Sequence, residues 1–171
     1  MLEIKVPPSF IKNCKWAIQR YKLYLLNLGY RYLYWLRTTD YLSSKRFLKP
    51  LFIFARFRLI ILSHKTGIQV PENTIIGKSL YLGHYCGIVI NPEAVLGDNI
   101  NLSNDVTIGQ TNRGEKKGSP KLVNCIYVGP GARIIGNITI GNKVAIWANA
   151  VVTKDIPDNA VVVGSPAKII S

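Results

Sequence analysis

Beyond Thr66 the chain repeats an aliphatic residue at every sixth position. Val128, Ile134, Ile140, Ile146 and Val152 form one run, and Val70, Ile76, Leu82 and Ile88 form another. After a two-residue slip, Ile90, Leu96, Leu102 and Ile108 resume the series, and glycine often follows the anchor (Gly77, Gly83, Gly97, Gly109, Gly129, Gly141). Four residues after each anchor a small or aliphatic residue returns: Thr74, Cys86, Ala94, Val106, Ala132, Val144 and Ala150. A period of six is neither the 3.6 of a helix nor plain alternation. It fits a short strand and a turn, repeated so that each aliphatic stacks on its equivalent in the next coil. The pattern predicts a mainly β solenoid over residues 67–171, with Cys86 facing the core and His84, two residues after Leu82, facing outward. The polar residues 111–120 break the period and are predicted to leave the stack as a projecting loop near 111–121.

Residues 1–66 read differently, as a basic, aromatic-rich and mainly helical segment. Phe10, Ile11, Trp16, Ala17, Ile18, Tyr21, Tyr24, Leu25 and Leu28 recur at three- and four-residue steps, with Lys12, Lys15, Arg20 and Lys22 between them. That spacing predicts a basic amphipathic helix, and a second helical run is expected from about residue 44 to 63. Charge sharpens the division. Of 22 Lys+Arg and 9 Asp+Glu, 13 basic and 2 acidic residues lie in 1–66, against 9 and 7 in the remainder. Thirteen of the 17 aromatics lie there too. Such a segment either packs on the base of the solenoid and helps build an oligomer, or rests on anionic lipid.

Several classes drop out. The apolar window 47–62 is interrupted by Lys49, Pro50, Arg56 and Arg58, and a spanning helix needs about 20 apolar residues. The first residues lack the basic start, apolar run and cleavage site of a secretory signal. Cys14, Cys86 and Cys125 are too few and scattered for a disulfide framework, and there is no Cys-x-x-Cys pair. A reducing, cytoplasmic location is expected. His64 and His84 are the only histidines, too few for a three-histidine zinc site, so no metal is expected.

The stretches Leu82-Gly83-His84-Tyr85-Cys86-Gly87-Ile88-Val89-Ile90, Asn104-Asp105-Val106-Thr107-Ile108-Gly109, Gly136-Asn137-Ile138-Thr139-Ile140-Gly141 and Val162-Val163-Gly164-Ser165-Pro166-Ala167-Lys168 resemble the hexapeptide-repeat acyltransferases. Within that family they are most similar to the serine acetyltransferase-like branch, which includes polysaccharide O-acetyltransferases. The resemblance covers roughly residues 66–171. It implies a left-handed parallel β-helix, an exception to the right-handed crossover rule, with acetyl-CoA as co-substrate. From the residues alone, an isolated histidine in a β-rich segment serves structure or chemistry. The resemblance assigns His84 as the base that takes a hydroxyl proton and returns it to the departing thiolate. Coenzyme-binding positions carried over from the family are Gly109, Gly131, Ala132, Ala148, Thr153, Lys154 and Lys168. The lysines suit the anionic phosphates. A cleft shared between neighbouring β-helices implies a homotrimer.

Three positions depart from the serine branch. Gly83 stands where that branch has Asp before the histidine, Gln69 stands where it has a second Asp, and Gly118-Ser119-Pro120 replaces Arg-His-Pro. Gln69 retains an acceptor for the His84 ring without the charge. These losses favour an acceptor other than serine. The leading expectation is therefore acetyl transfer to a sugar hydroxyl in capsular or exopolysaccharide synthesis, on a glycan that is either free or lipid-linked, beside an anionic membrane. Serine O-acetylation and a non-enzymatic scaffold that binds membrane or nucleic acid are the alternatives, and no nucleic-acid partner is expected in the leading reading.

Overall fold

The structure, a computed structural model, describes residues 24–171. Two helices lead into five coils of a parallel β-helix. Helix α1 (Leu28–Ser43) starts where the Asn27 side chain accepts a hydrogen bond from the Tyr30 N–H at 2.9 Å, a typical N-cap. Helix α2 (Lys49–Thr66) follows a short 3₁₀ turn at Arg46–Leu48, carries Pro50 in its first turn, and ends at Gly67, whose φ of 66° provides the left-handed exit. The expected run at 44–63 thus becomes a 3₁₀ turn and a helix that ends three residues later. The amphipathic helix expected around residues 10–28 falls almost wholly outside the described residues.

The first coil contains β1 (Ile68–Gln69), β2 (Ile75–Ile76) and β3 (Tyr81–Leu82), and the second β4 (Ile88–Ile90), β5 (Val95–Leu96) and β6 (Asn101–Leu102). The third contains β7 (Thr107–Gly109), β8 (Lys121–Leu122) and β9 (Tyr127–Val128), and the fourth β10 (Arg133–Ile135), β11 (Thr139–Ile140) and β12 (Ala145–Ile146). The fifth has β13 (Val151–Val152) and β14 (Val161–Val163), and β15 (Lys168–Ile169) turns back antiparallel to β14. Three parallel sheets result: β1-β4-β7-β10-β13, β2-β5-β8-β11, and β3-β6-β9-β12-β14, the last extended by β15.

The predicted anchors are rungs except Val70, which follows β1, and Ile88, which pairs with Ile68 beside the Ile90 rung. Ile90, Ile108, Ile134 and Val152 stack in the first sheet, Leu96, Leu122 and Ile140 in the second, and Leu102, Val128, Ile146 and Val162 in the third. All are buried. Each such side chain contributes roughly 1.5–3 kcal/mol of apolar burial, and the small residues four positions on, Ala94, Val106, Ala132, Val144 and Ala150, leave room for them at the edges of the prism.

The helical hairpin closes the open end. The buried Tyr32 hydroxyl accepts from the Val70 N–H at 3.0 Å and donates to the Val70 carbonyl at 3.1 Å, so both free backbone groups at the rim are satisfied. Burial pushes its pKa up to about 12. Arg37 donates to the Ile76 carbonyl at 2.7 Å and to that of Gly77 beside it. An edge that would otherwise invite strand addition is thereby covered.

Candidate active site

His84 lies on the edge of the prism where the third sheet passes into the first. On that edge Leu82 to Ile90 is a step of eight residues, whereas Leu102 to Ile108, Val128 to Ile134 and Ile146 to Val152 are steps of six. The two extra residues have no place in the stack. The chain bows outward instead, and His84, Tyr85 and Cys86 are all exposed. Ile88, not Cys86, fills the core position that Val106 occupies one coil above. The expected core-facing thiol is therefore corrected: the slip displaced it to the surface, with φ at 126°. Cys125 is also exposed, at a corner with a φ of 57°.

The structure puts some of the expected site on this edge. Above His84 come Asp105, then Gly131 and Ala132, then Ala148. At about 4.8 Å per coil, Ala148 stands about 14 Å from His84 along the axis. Ala132 is buried, so only its backbone faces the edge. Stacking by itself demands glycine at the neighbouring turn: a Cβ on Gly131 would lie 2.1 Å from the Asn149 side chain, and one on Gly129 would lie 2.7 Å from the Ala148 nitrogen. Trp147, beside Ala148, is exposed on the same edge.

The remaining expected residues lie elsewhere. Gly109 and Thr153 cap the first sheet at the next edge, with Lys154 following. The 111–121 loop folds onto that edge. Thr111 and Gly118 bridge each other, the Asn137 N–H donates to the Lys116 carbonyl at 2.8 Å, and Lys116 Nζ pairs with Asp155 at 2.7 Å. The hydrogen bond from Lys116, with a backbone N–H from Thr139, holds the Asp155 carboxyl below its ordinary pKa of 3.8. Lys168 is exposed on β15 against Val163. Gln69 is exposed on β1 opposite Val89, five residues past His84. Among the described residues no hydrogen bond joins Gln69 to the His84 ring. Ser119 donates to the Asn91 side-chain oxygen at 3.0 Å, a contact within the framework.

Sequence reasoning passed over one feature of this edge. Arg133 and Asp105 form an ion pair at 3.1 Å one coil above the His84 turn, where the Asp105 N–H donates to the Cys86 carbonyl at 2.8 Å. The pairing of Arg133 with Thr107 across coils 26 residues apart in sequence brings the two together, and the loop insertion hid that interval. Among the described residues no group of three or more His, Cys, Asp or Glu side chains is placed to hold a metal ion.

A left-handed parallel β-helix with an exposed imidazole on one edge defines a hexapeptide-repeat acyltransferase. No protein-family model matches the chain. A serine acetyltransferase of Helicobacter pylori is 34% identical over 155 residues, which are 91% of this chain and 88% of that protein. A serine acetyltransferase of Neisseria gonorrhoeae, solved in complex with serine, superposes with a TM-score of 0.73 at 34% identity over 88% of this chain. The chain spans 60% of that solved chain's length. Serine acetyltransferase of Brucella abortus in complex with coenzyme A superposes with a TM-score of 0.73 at 26% identity, covering 94% of this chain and 69% of that one. The chain belongs to the serine acetyltransferase family. The expected enzyme class, an O-acetyltransferase using acetyl-CoA, agrees with these relatives. The expected sugar acceptor does not: the similarity extends over nearly the whole of both the chain and its Helicobacter pylori relative, and these relatives are serine enzymes.

Proposed function

We propose that the protein transfers the acetyl group of acetyl-CoA to the side-chain hydroxyl of L-serine, with His84 as general base. The match to a serine acetyltransferase over about nine-tenths of both chains carries this reading, and the outward bow at His84 supports it by leaving the imidazole open to two substrates. The ring nitrogen takes the hydroxyl proton as the serine oxygen attacks the thioester carbonyl. The carbon–sulfur bond then breaks, and the proton passes from the imidazolium to the coenzyme A thiolate. The products are O-acetylserine and coenzyme A. A backbone N–H on the same edge stabilises the oxyanion.

The coenzyme arm runs along the edge from His84 past Gly131 and Ala132 towards Ala148, with Thr153, Lys154 and Lys168 of the same or a neighbouring subunit at its phosphate end. Gly109 borders that end. A site open on one side in a single chain suits a homotrimer in the cytoplasm. Residues 67–171 form the acyltransferase unit and the segment before them its base. Where Gly83 and Ser119 lack the charges of the family pattern, Asp105 and Arg133 offer one carboxylate and one guanidinium to the amino-acid acceptor.

The test follows coenzyme A thiol release from acetyl-CoA with L-serine. Turnover by the wild type that His84→Ala removes is expected. Absence of turnover with serine, or turnover untouched by the substitution, overturns the reading.

A further inference from the structure

Helix α2 has apolar residues on both of its faces. Ala55, Leu59 and Leu62 are buried against α1 and the coils, while Ile53, Phe57 and Ile60, on the opposite face, are exposed, Ile53 and Phe57 by 60% or more. Just before the helix Phe47 is 98% exposed. A helix apolar all round is normally covered all round, and among the described residues Ile53, Phe57 and Ile60 stay open to solvent.

Charge decides what covers it. From Tyr41 to Pro71 the sequence holds Lys45, Arg46, Lys49, Arg56, Arg58 and Lys65 and no acidic residue. Arg56 is paired with Glu72 at 3.3 Å, and Arg58 lies over the Trp35 ring. Lys45, Arg46 and Lys49, clustered around Phe47, and Lys65 at the far end are exposed. A second copy docked face to face by a twofold axis would set this cationic surface against itself, and like charges across an interface oppose association. Nucleic acid would answer the charge but leave the Ile and Phe side chains in water. A bilayer with anionic headgroups satisfies both, admitting the apolar row below the headgroups while the lysines and arginines stay among the phosphates. We propose that this face of α2, with the Phe47 turn, docks the protein on an anionic lipid surface. No helix among the described residues is long and apolar enough to cross a membrane, so the contact is peripheral.

The experiment pelleted with vesicles uses the full chain, with pure phosphatidylcholine in one arm and a roughly two-to-one mixture of phosphatidylcholine and phosphatidylglycerol in the other. The protein is expected to sediment with the mixed vesicles only, and to be released at salt on the order of 1 M. Each basic residue at the surface is worth about fivefold in partitioning, so Lys45→Ala/Arg46→Ala/Lys49→Ala loses about 100-fold. Ile53→Glu/Phe57→Glu abolishes binding while circular dichroism and acetyl transfer to serine stay unchanged. No partitioning into the mixed vesicles overturns the proposal, as does equal binding by wild type and both variants. Sedimentation velocity showing that Ile53→Glu/Phe57→Glu splits a larger assembly would give the face to a second copy and also overturn it.

Discussion

The β-helix and the helical hairpin beneath it are stabilised in opposite ways. In the coils every rung repeats the one below, so Ile90, Ile108, Ile134 and Val152 do one job in four successive coils. In the hairpin each contact occurs once: Tyr32 on Val70, Arg37 on Ile76, Asn27 on Tyr30. Repetition writes itself into the sequence as a period, whereas a single contact leaves no such trace. The repetition is broken at the two-residue bow, where the proposed base His84 stands exposed.

The comparison can be tested from its largest consequence downwards. His84→Ala is expected to lower kcat by about 10²–10⁴-fold with thermal stability unchanged, because the side chain is outside the stack. A steady-state assay beside a melting curve checks this, and a drop in Tm of the size seen for core variants would put His84 in the framework. Ile134→Ala, in the middle of a rung, should cost about 2–5 kcal/mol in urea unfolding, whereas Phe57→Ala on the exposed face of α2 should stay within about 0.5 kcal/mol. Similar costs at the two sites would erase the distinction drawn between them.

Tyr32→Phe tests the hairpin's unique contacts. It leaves the buried Val70 N–H without a partner, for which a loss of about 1–3 kcal/mol is expected. Faster amide exchange at Val70 than at Ile108 in the variant would locate the damage at the rim. Unchanged exchange there would show that water or another group replaces the hydroxyl.

The smallest effect is at the other end of the prism. Asp158 accepts hydrogen bonds from the backbone N–H and side-chain amide of Asn142, which hold its carboxyl below the ordinary 3.8. A lowered folded pKa means that its contribution is present above the unfolded value and is lost as the pH falls through the folded one. Asp158→Ala should therefore lower Tm slightly at neutral pH, and the difference should shrink below pH 3.8. A difference that does not vary with acid would assign the effect to the side chain's shape rather than its charge.

The period of six was enough to give the β-helix, its rungs and the point of the slip, because a solenoid packs each residue against its own equivalent and registers that packing at a fixed interval. It also marked His84 as outward. The slip's consequence for Cys86 was not legible, since an extra two residues can be absorbed on either side of an anchor and only the pairing of Ile90 with Ile108 decides which. The bounds of helix α1 are less legible: residues 1–66 read as mainly helical, but Gly29, Thr38 and Thr39 weaken the local helical preference, and its formation rests on Tyr32 and Leu36 reaching the first coil. The acceptor was misread from Gly83, Gln69 and Ser119 because absent charges in the chain say nothing of charges supplied in space. Asp105 and Arg133, 28 residues apart, meet beside the His84 turn only once the coils are stacked. What repeats can be read along the chain; what meets once emerges only on folding, because a unique contact between distant residues has no period by which to be read.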